Sequence, residues 1–455
     1  MMSQNPSEPW NPERRWSNIV IAALAAVIFL LLSEQVRVHH AQVPRADAEV
    51  TLEGRLNDLA LSAPKVIAGL NLRTWTQPIR DARQAGGWDQ AILAVHAGER
   101  GELDLGQELA GAAPGPTGDG FRALWRWSYL EQGAAPDPAL RAKIRQALGN
   151  GYAARILEAR CLARIGGPAA QLETEAQRWA RPRLATLGAA TGGALLLGLA
   201  GLAFGLYLGV TPARSGSLPS FRLPGRALLI VLLGWFLCLL LSGPVIGFVL
   251  ALLPFLRPVA LPLAYLFHAS LGLAFLCGAE GITPRHLWRR AVPGQMGRAA
   301  AAGLGFLALA FAAVMAVGLA LSPLLRHAEP PQRELMEVLT HLSGPVSVTL
   351  VFLTVAVAAP VFEELLFRGF LLPWLGERLQ AKIGPRFGWV LALTVTAVTF
   401  AAMHMQPWGL PTLSTLGFVL GLAYVRTGNL GTSMLVHGCW NGGVFIIMRV
   451  TAHLL

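Results

Sequence analysis

Three short segments near the C-terminus place polar side chains within strongly apolar sequence. In chain order they contain Glu363, Glu364 and Arg368, then Phe400 and His404, then His437 and Asn441. Ionisable groups in lipid are costly, so each is a candidate functional residue. A carboxylate beside an imidazole can hold a water molecule and remove its proton, while a second imidazole and a carboxamide can donate to the oxyanion of an attacked carbonyl. The residue types therefore predict hydrolysis of an amide bond without a covalent intermediate.

The two adjacent glutamates are expected to have different roles, because neighbouring helical side chains point about 100° apart. Glu364 and Arg368 are spaced i, i+4 with the acid first, which favours an ion pair within one helix. Glu363 lies off that line, close to the helix discontinuity expected at Pro360, and is free to face a polar cavity. The competing interpretation is that this cluster only ends a membrane span at the lipid interface.

Helix lengths predict that the three segments meet at one depth. At about 1.5 Å per residue, the chain travels about 24 Å from Glu363 to the next turn and returns about 22 Å to His404. A further helix leads to the turn at 426–429, and His437 then lies about 10 Å along the last helix. Asn441 follows His437 at i, i+4 and shares its face. Three spans can therefore deliver all four groups to one layer.

The motifs resemble the signature of the CPBP intramembrane proteases, also called the CAAX-protease and bacteriocin-processing (Abi-type) family. That signature is Glu-Glu-x-x-x-Arg, Phe-x-x-x-His and His-x-x-x-Asn on successive membrane helices, and the match covers about residues 345–450. The resemblance implies a peptide hydrolase in which Glu363 and His404 activate water while His437 and Asn441 hold the oxyanion. It also implies that Glu364 and Arg368 fix the first helix and that Phe400 supports the second motif.

Two alternative interpretations stay open from the residues. Glu363, His404 and His437 are acceptable zinc ligands that leave one position for water, which predicts a metalloprotease, although a carboxamide such as Asn441 is an uncommon zinc ligand. The other alternative is a non-catalytic membrane scaffold, a transporter or a bacteriocin-immunity protein. A transporter is expected to distribute polar groups over several spans or to contain an internal repeat. His268, in an earlier span, is expected to make a helix–helix hydrogen bond.

Composition indicates the environment of these segments. The 455-residue chain is 54% hydrophobic and 14% charged, and its mean hydropathy of +0.49 is well above that of ordinary soluble chains. The formal net charge is +11, but the basic residues fall in short loops between apolar runs, which is typical of a topology signal and not of nucleic-acid binding. The expected partners are the lipid bilayer and a membrane-embedded or membrane-associated peptide or protein substrate.

The predicted fold is an all-α bundle of about nine transmembrane spans with a soluble helical domain inserted after the first. Its expected parts are a cytoplasmic segment 1–18, an anchor 19–32, an extracytoplasmic domain 33–183, membrane helices 184–342 and a catalytic core 343–455. Eight apolar runs follow the anchor: 184–211, 227–254, 258–279, 299–322, 346–372, 388–405, 411–425 and 430–451.

The distribution of basic residues predicts the orientation of the chain. With a cytoplasmic N-terminus, thirteen basic residues of the short loops and termini lie inside and only four lie outside, as the positive-inside rule requires. We therefore expect a multi-pass protein of a bacterial inner membrane, with its N-terminus in the cytoplasm.

Overall fold

The computed structural model describes residues 20–23, 25, 52–63, 87–131, 133, 137–149, 151–211, 218–221, 223–292, 296–322, 324 and 344–454. Every regular element in these ranges is a helix, which confirms the predicted all-α class. The described residues fall into two compact units. One is drawn from Val43–Leu196, and the other from Leu197–Leu321 and Glu329–Met448.

The first unit is built from short helices. They are α1 Leu52–Leu61, α2 Gly87–Glu99, α3 Leu103–Ala110, α4 Gly115–Trp125, α5 Pro138–Leu148, α6 Tyr152–Arg164 and the first part of α7 Ala169–Val210. Their core contains the fully buried Phe121 and Trp125, and the Trp125 indole N–H donates to the Ala94 carbonyl at 2.8 Å. A buried carboxylate, Asp58, accepts from His96 Nε2 at 2.8 Å and from the Ala153 amide at 2.9 Å. These bonds join α1 to α2 and α6.

The second unit contains helices of membrane-spanning length. They are the remainder of α7, α8 Gly225–Leu252, α9 Ala260–Glu280, the short α10 Pro284–Ala291, α11 Met296–Leu321, the segmented run Pro345–Ile383, α15 Pro385–Ala402, α16 Leu410–Thr427 and α17 Leu430–Leu454. A 3₁₀ turn, Pro254–Val259, leads into α9.

Seven helices of the described residues are long and apolar enough to cross a membrane, so the chain is a multi-pass integral membrane protein. They account for seven of the roughly nine spans expected from the sequence. The anchor predicted at 19–32 lies mostly outside the described residues. The last predicted span is helical but, with its several polar residues, does not belong to the seven.

The run Pro345–Ile383 is one span divided by two π-helical turns. It consists of α12 Pro345–Leu353, a turn Thr354–Ala358, α13 Ala359–Leu366, a turn Phe367–Leu371 and α14 Leu372–Ile383. Each π turn ends two residues before a proline, Pro360 or Pro373. Proline has no amide hydrogen to donate and so disturbs the hydrogen bonding of the preceding turn. The short α13, which bears both glutamates, is therefore set off by an irregular turn at each end.

A tight turn reverses the chain after this run. Gly384 has φ +84°, a conformation that glycine adopts without a steric penalty, and α15 begins at the next residue. The two helices then pack closely, since a Cβ at Gly376 would lie 2.4 Å from the Trp389 ring. This hairpin is the antiparallel pair that the helix-length argument requires.

Candidate active site

The Glu364 carboxylate is the most heavily bonded group of the site. Its Oε1 accepts from Arg368 Nη1 at 2.7 Å and pairs with His437 Nδ1 at 2.8 Å, and its Oε2 accepts from Ser433 Oγ at 2.5 Å. Glu364 and Arg368 are both fully buried. Because three donors from two helices converge on it, Glu364 joins α13 and the following π turn to α17.

The aromatic ring of Phe400 lies among the polar side chains of the site. The Arg368 guanidinium stands 4.3 Å from the centroid of this ring, within the range of a cation–π contact. The rings of His404 and His437 lie 4.8 Å and 5.6 Å from it, both edge to face. A second Arg368 nitrogen donates to the Gly417 carbonyl at 3.0 Å, which ties α16 to the cluster. Phe400 therefore brings the two histidines into one neighbourhood.

Glu363 points away from the ion pair. Its side chain is 16% exposed, and its Oε2 lies 3.8 Å from His437 Nε2. Its Oε1 accepts from the hydroxyl of Tyr265 at 3.3 Å. The Oε2 atom is buried and has no hydrogen-bond partner among the residues that the structure describes. Oε1 of Glu363 is thus hydrogen-bonded to Tyr265, whereas Oε2 lies near the His437 imidazole without a hydrogen bond.

His404 lies just beyond the end of α15, which stops at Ala402 and not at residue 405 as the apolar run predicted. The next residue, Met405, has φ +53°, a left-handed conformation that is uncommon outside glycine. His404 Nδ1 is 2.8 Å from the Phe400 carbonyl oxygen. Since a carbonyl only accepts, Nδ1 carries the hydrogen, and in the neutral ring Nε2 keeps its lone pair.

Asn441 bonds to the first π turn. Its side-chain nitrogen donates to the Val355 carbonyl at 3.2 Å. In a π turn this carbonyl would pair with the residue five positions on, which is Pro360 and has no amide hydrogen. Asn441 therefore satisfies an acceptor that the proline leaves open, and its amide keeps a second hydrogen for another partner.

The structure differs from the sequence prediction in which histidine contacts the glutamates. His437 contacts both glutamates, whereas no ion pair joins Glu363 to His404 in the described part of the chain. His268 bonds to the Ala264 carbonyl of its own helix at 3.0 Å. The predicted hydrogen bond to another helix was therefore wrong.

Two site residues escaped the sequence argument. Ser433 precedes His437 by one helical turn, and this i, i+4 spacing was a usable signal. Tyr265 precedes His268 by three residues, but nothing in its spacing relates it to Glu363, which lies 98 residues away along the chain.

Glu363, His404 and His437 are residue types that can also bind zinc. Across the described ranges, no group of three or more His, Cys, Asp or Glu side chains is arranged to hold a metal ion. The arrangement therefore does not fit Glu363, His404 and His437 as three zinc ligands.

Comparison with known proteins identifies the segment that carries the site. Residues 345–443 match the family described as type II CAAX prenyl endopeptidase Rce1-like. These residues, termed the CPBP segment, are therefore similar to the family that the motifs resemble. The CPBP segment contains all seven residues of the predicted motifs, but Tyr265 and His268 lie outside it.

Two curated proteins are similar to parts of the chain. The membrane-embedded CAAX protease MroQ of Staphylococcus aureus (strain USA300) is 30% identical over 102 residues, which are 22% of this chain and 40% of that protein. An uncharacterized 24.3 kDa protein of Escherichia coli is 31% identical over 137 residues, or 30% of this chain and 57% of that protein. The chain thus spans about half the length of the curated relatives it matches. No solved structure matches it significantly.

Proposed function

We propose that this chain is an intramembrane endopeptidase in which Glu363 is the general base. The CPBP segment and the name of the MroQ relative support peptide-bond hydrolysis. The observation that carries the proposal is the buried Oε2 of Glu363, which has no hydrogen-bond partner in the described chain and lies 3.8 Å from His437 Nε2. Two polar atoms at this separation can both contact one water molecule, because hydrogen bonds to oxygen are about 2.8 Å long.

In the proposed reaction, Glu363 Oε2 takes a proton from this water as its oxygen attacks the peptide carbonyl. The Nε2 lone pair of neutral His404 orients the water by accepting its second hydrogen. The protonated Glu363 then gives the proton to the departing amine, so the carboxylate is regenerated and the C–N bond breaks. This is general acid–base catalysis with no covalent intermediate.

The oxyanion receives hydrogen bonds from His437 and Asn441 in this proposal. Glu364 accepts from His437 Nδ1 and so fixes the ring. When Nε2 also carries a hydrogen, it first donates to the water and then, as the water attacks, to the oxyanion. Asn441 is anchored on Val355 through one amide hydrogen and has a second to donate. Fixed donors of this kind stabilise charge that develops in the transition state.

The substrate is proposed to be a membrane-embedded or membrane-associated peptide or protein, and the bilayer a bacterial inner membrane with the N-terminus in the cytoplasm. The apolar surroundings of the site support a substrate in or at the membrane. The distribution of basic residues supports a cytoplasmic N-terminus. Because the matching family is described as a CAAX prenyl endopeptidase, a quenched fluorescent peptide with a farnesylated CAAX end is the first probe to test.

The variant Glu363→Gln tests the proposal, because it removes the base and keeps the side-chain volume. Membrane proteomes of cells that produce the native chain or this variant are compared for newly formed peptide termini, and the farnesylated probe is assayed with purified protein. The matched control is Glu377→Gln, since Glu377 makes its bond to the exposed Ser220 at 3.0 Å. We expect cleavage to vanish only in Glu363→Gln, and full cleavage by that variant would refute the mechanism.

A further inference from the structure

We infer that Tyr265 is a positioning residue for Glu363, supplied by a helix outside the CPBP segment. Its hydroxyl holds Oε1 of Glu363 and so leaves Oε2 to receive the proton of the attacking water. The inference rests on the proposed function.

The first support is the position of the Tyr265 hydroxyl. It lies 3.3 Å from Glu363 Oε1 and 3.3 Å from the Ala359 carbonyl oxygen. These two acceptors are one helical turn apart on α13, and the phenol has a single hydrogen that they share. The hydroxyl therefore lies beside the helix that bears the base and fixes the carboxylate relative to the backbone of that helix.

The second support is that the Tyr265 ring is held firmly. It packs edge to face on His268, with ring centroids 4.7 Å apart, and on Phe362 at 6.4 Å. His268 is itself buried and bonded to the Ala264 carbonyl, and Trp235 lies 6.4 Å from it. Because packing restricts the ring, little entropy is lost when the hydroxyl binds the carboxylate. This packing also gives His268 a role that is separate from chemistry.

The third support is the difference between the two oxygens of Glu363. Oε1 accepts a hydrogen bond, whereas Oε2 has no partner within the described residues. An oxygen that accepts no hydrogen bond is the better proton acceptor, because a donor stabilises the charge that protonation removes. Among the described residues, the other charged or titratable groups near Glu363 are His437 on α17, His268 on α9 and the Glu364–Arg368 pair on its own run. Of these groups and Tyr265, it is the Tyr265 hydroxyl that bonds to Oε1.

Loss of the hydroxyl has two expected consequences. The carboxylate gains freedom to rotate, so fewer molecules hold Oε2 toward the water and kcat falls. The ionised carboxylate also loses a donor, so the acid limb of the kcat profile moves to higher pH. Substrate binding is hardly affected, because the hydroxyl faces Glu363 and the α13 backbone. A residue with only a structural role would not move the pH profile.

The test is Tyr265→Phe, which keeps the ring and removes only the hydroxyl. The matched control is Tyr424→Phe, because Tyr424 is also buried but its hydroxyl has no hydrogen-bond partner among the residues described. The probe is a quenched fluorescent peptide that contains a cleavage site found in the Glu363→Gln comparison. We expect kcat of Tyr265→Phe to fall about 10- to 100-fold, the range for losing a hydrogen bond to a charged group. KM should stay within about twofold and the control should resemble the native chain.

The outcomes separate this inference from the proposed function. Normal kcat and an unshifted pH profile for Tyr265→Phe overturn the inference, even where Glu363→Gln is inactive. An active Glu363→Gln refutes the proposed function instead. If Tyr265→Phe gives little folded protein, difluorotyrosine at position 265 keeps both ring and hydroxyl while making the hydroxyl more acidic. A displaced acid limb in that protein then supports the inference, and an unchanged limb overturns it.

Discussion

At Glu364, one buried carboxylate accepts from an arginine, a histidine and a serine. A buried charge is tolerated only when it is paired and hydrogen-bonded, and removing one partner strands the other. The pair is therefore expected to matter for folding as well as for the orientation of His437. Glu363 differs, because its side chain is 16% exposed and its Oε2 accepts no hydrogen bond from the described residues.

Single changes in the ion pair should destabilise the protein unequally. Glu364→Ala strands Arg368 and also frees His437 and Ser433, whereas Arg368→Ala leaves Glu364 with two donors. We expect a loss of about 3–5 kcal/mol for Glu364→Ala, the range for breaking a buried pair, and a smaller loss for Arg368→Ala. The double variant should lose less than the sum of the two. Thermal unfolding of detergent-solubilised protein measures these values, and strict additivity would contradict the coupling.

The metal-free mechanism and a zinc mechanism can be separated by kinetics and metal chelation. If its free amide hydrogen stabilises the oxyanion, Asn441→Ala should lower kcat by roughly 10²- to 10³-fold with little change in KM. A chelator should then leave the native enzyme largely active. If zinc carries the reaction, chelation should abolish activity, added zinc should restore it, and His437 should be needed more than Asn441. Stoichiometric zinc with such reversible loss would require Glu363, His404 and His437 to be regrouped as ligands.

The elements that position these residues depend on irregular helix geometry. The first π turn and Pro360 leave carbonyl groups without intrahelical donors, and α17 approaches that face of the helix. Asn441 bonds to the Val355 carbonyl, and a Cβ at Gly438 would lie only 2.6 Å from the Ala356 oxygen. The close approach of α17 to this turn therefore requires a residue without a side chain. π turns recur at functional sites because they redirect side chains within a helix.

Gly438→Ala is the test at the level of these elements. The added methyl group meets a backbone oxygen that cannot move independently of its helix, so α17 must shift and carry His437 and Asn441 away from α13. We expect reduced thermal stability and at least a tenfold loss of kcat, since small misplacements of catalytic groups are costly. Gly443→Ala on the same helix is the control, because a Cβ there meets nothing within 4 Å. Equal behaviour of the two variants would argue against the close approach as a requirement.

On the scale of the whole chain, the prediction concerns which side of the membrane each part occupies. The distribution of basic residues predicts a cytoplasmic N-terminus and an extracytoplasmic domain at 33–183. A tag at the N-terminus should therefore be protected from protease added to intact spheroplasts. A tag inserted at Gly115, where an added Cβ would meet nothing within 4 Å, should be cleaved. The reverse pattern of protection would overturn the predicted topology.

The sequence by itself determined the membrane environment, the all-helical class and the segment that holds the motifs. Hydropathy reveals these features because a helix in lipid must satisfy its own backbone and present apolar side chains to the bilayer. The i, i+4 spacings also identified which polar residues share a helical face, since helix geometry fixes that relation locally.

Only the tertiary structure decided which groups meet across helices. Helix lengths put His404, His437 and Glu363 at similar depths, but rotation of each helix about its axis, set by packing, brought His437 and not His404 against both glutamates. The same packing brought Tyr265 to Glu363 from 98 residues away and placed Asn441 on a carbonyl left open by Pro360. Local periodicity carries no information about such contacts, because they depend on how separate helices fit together.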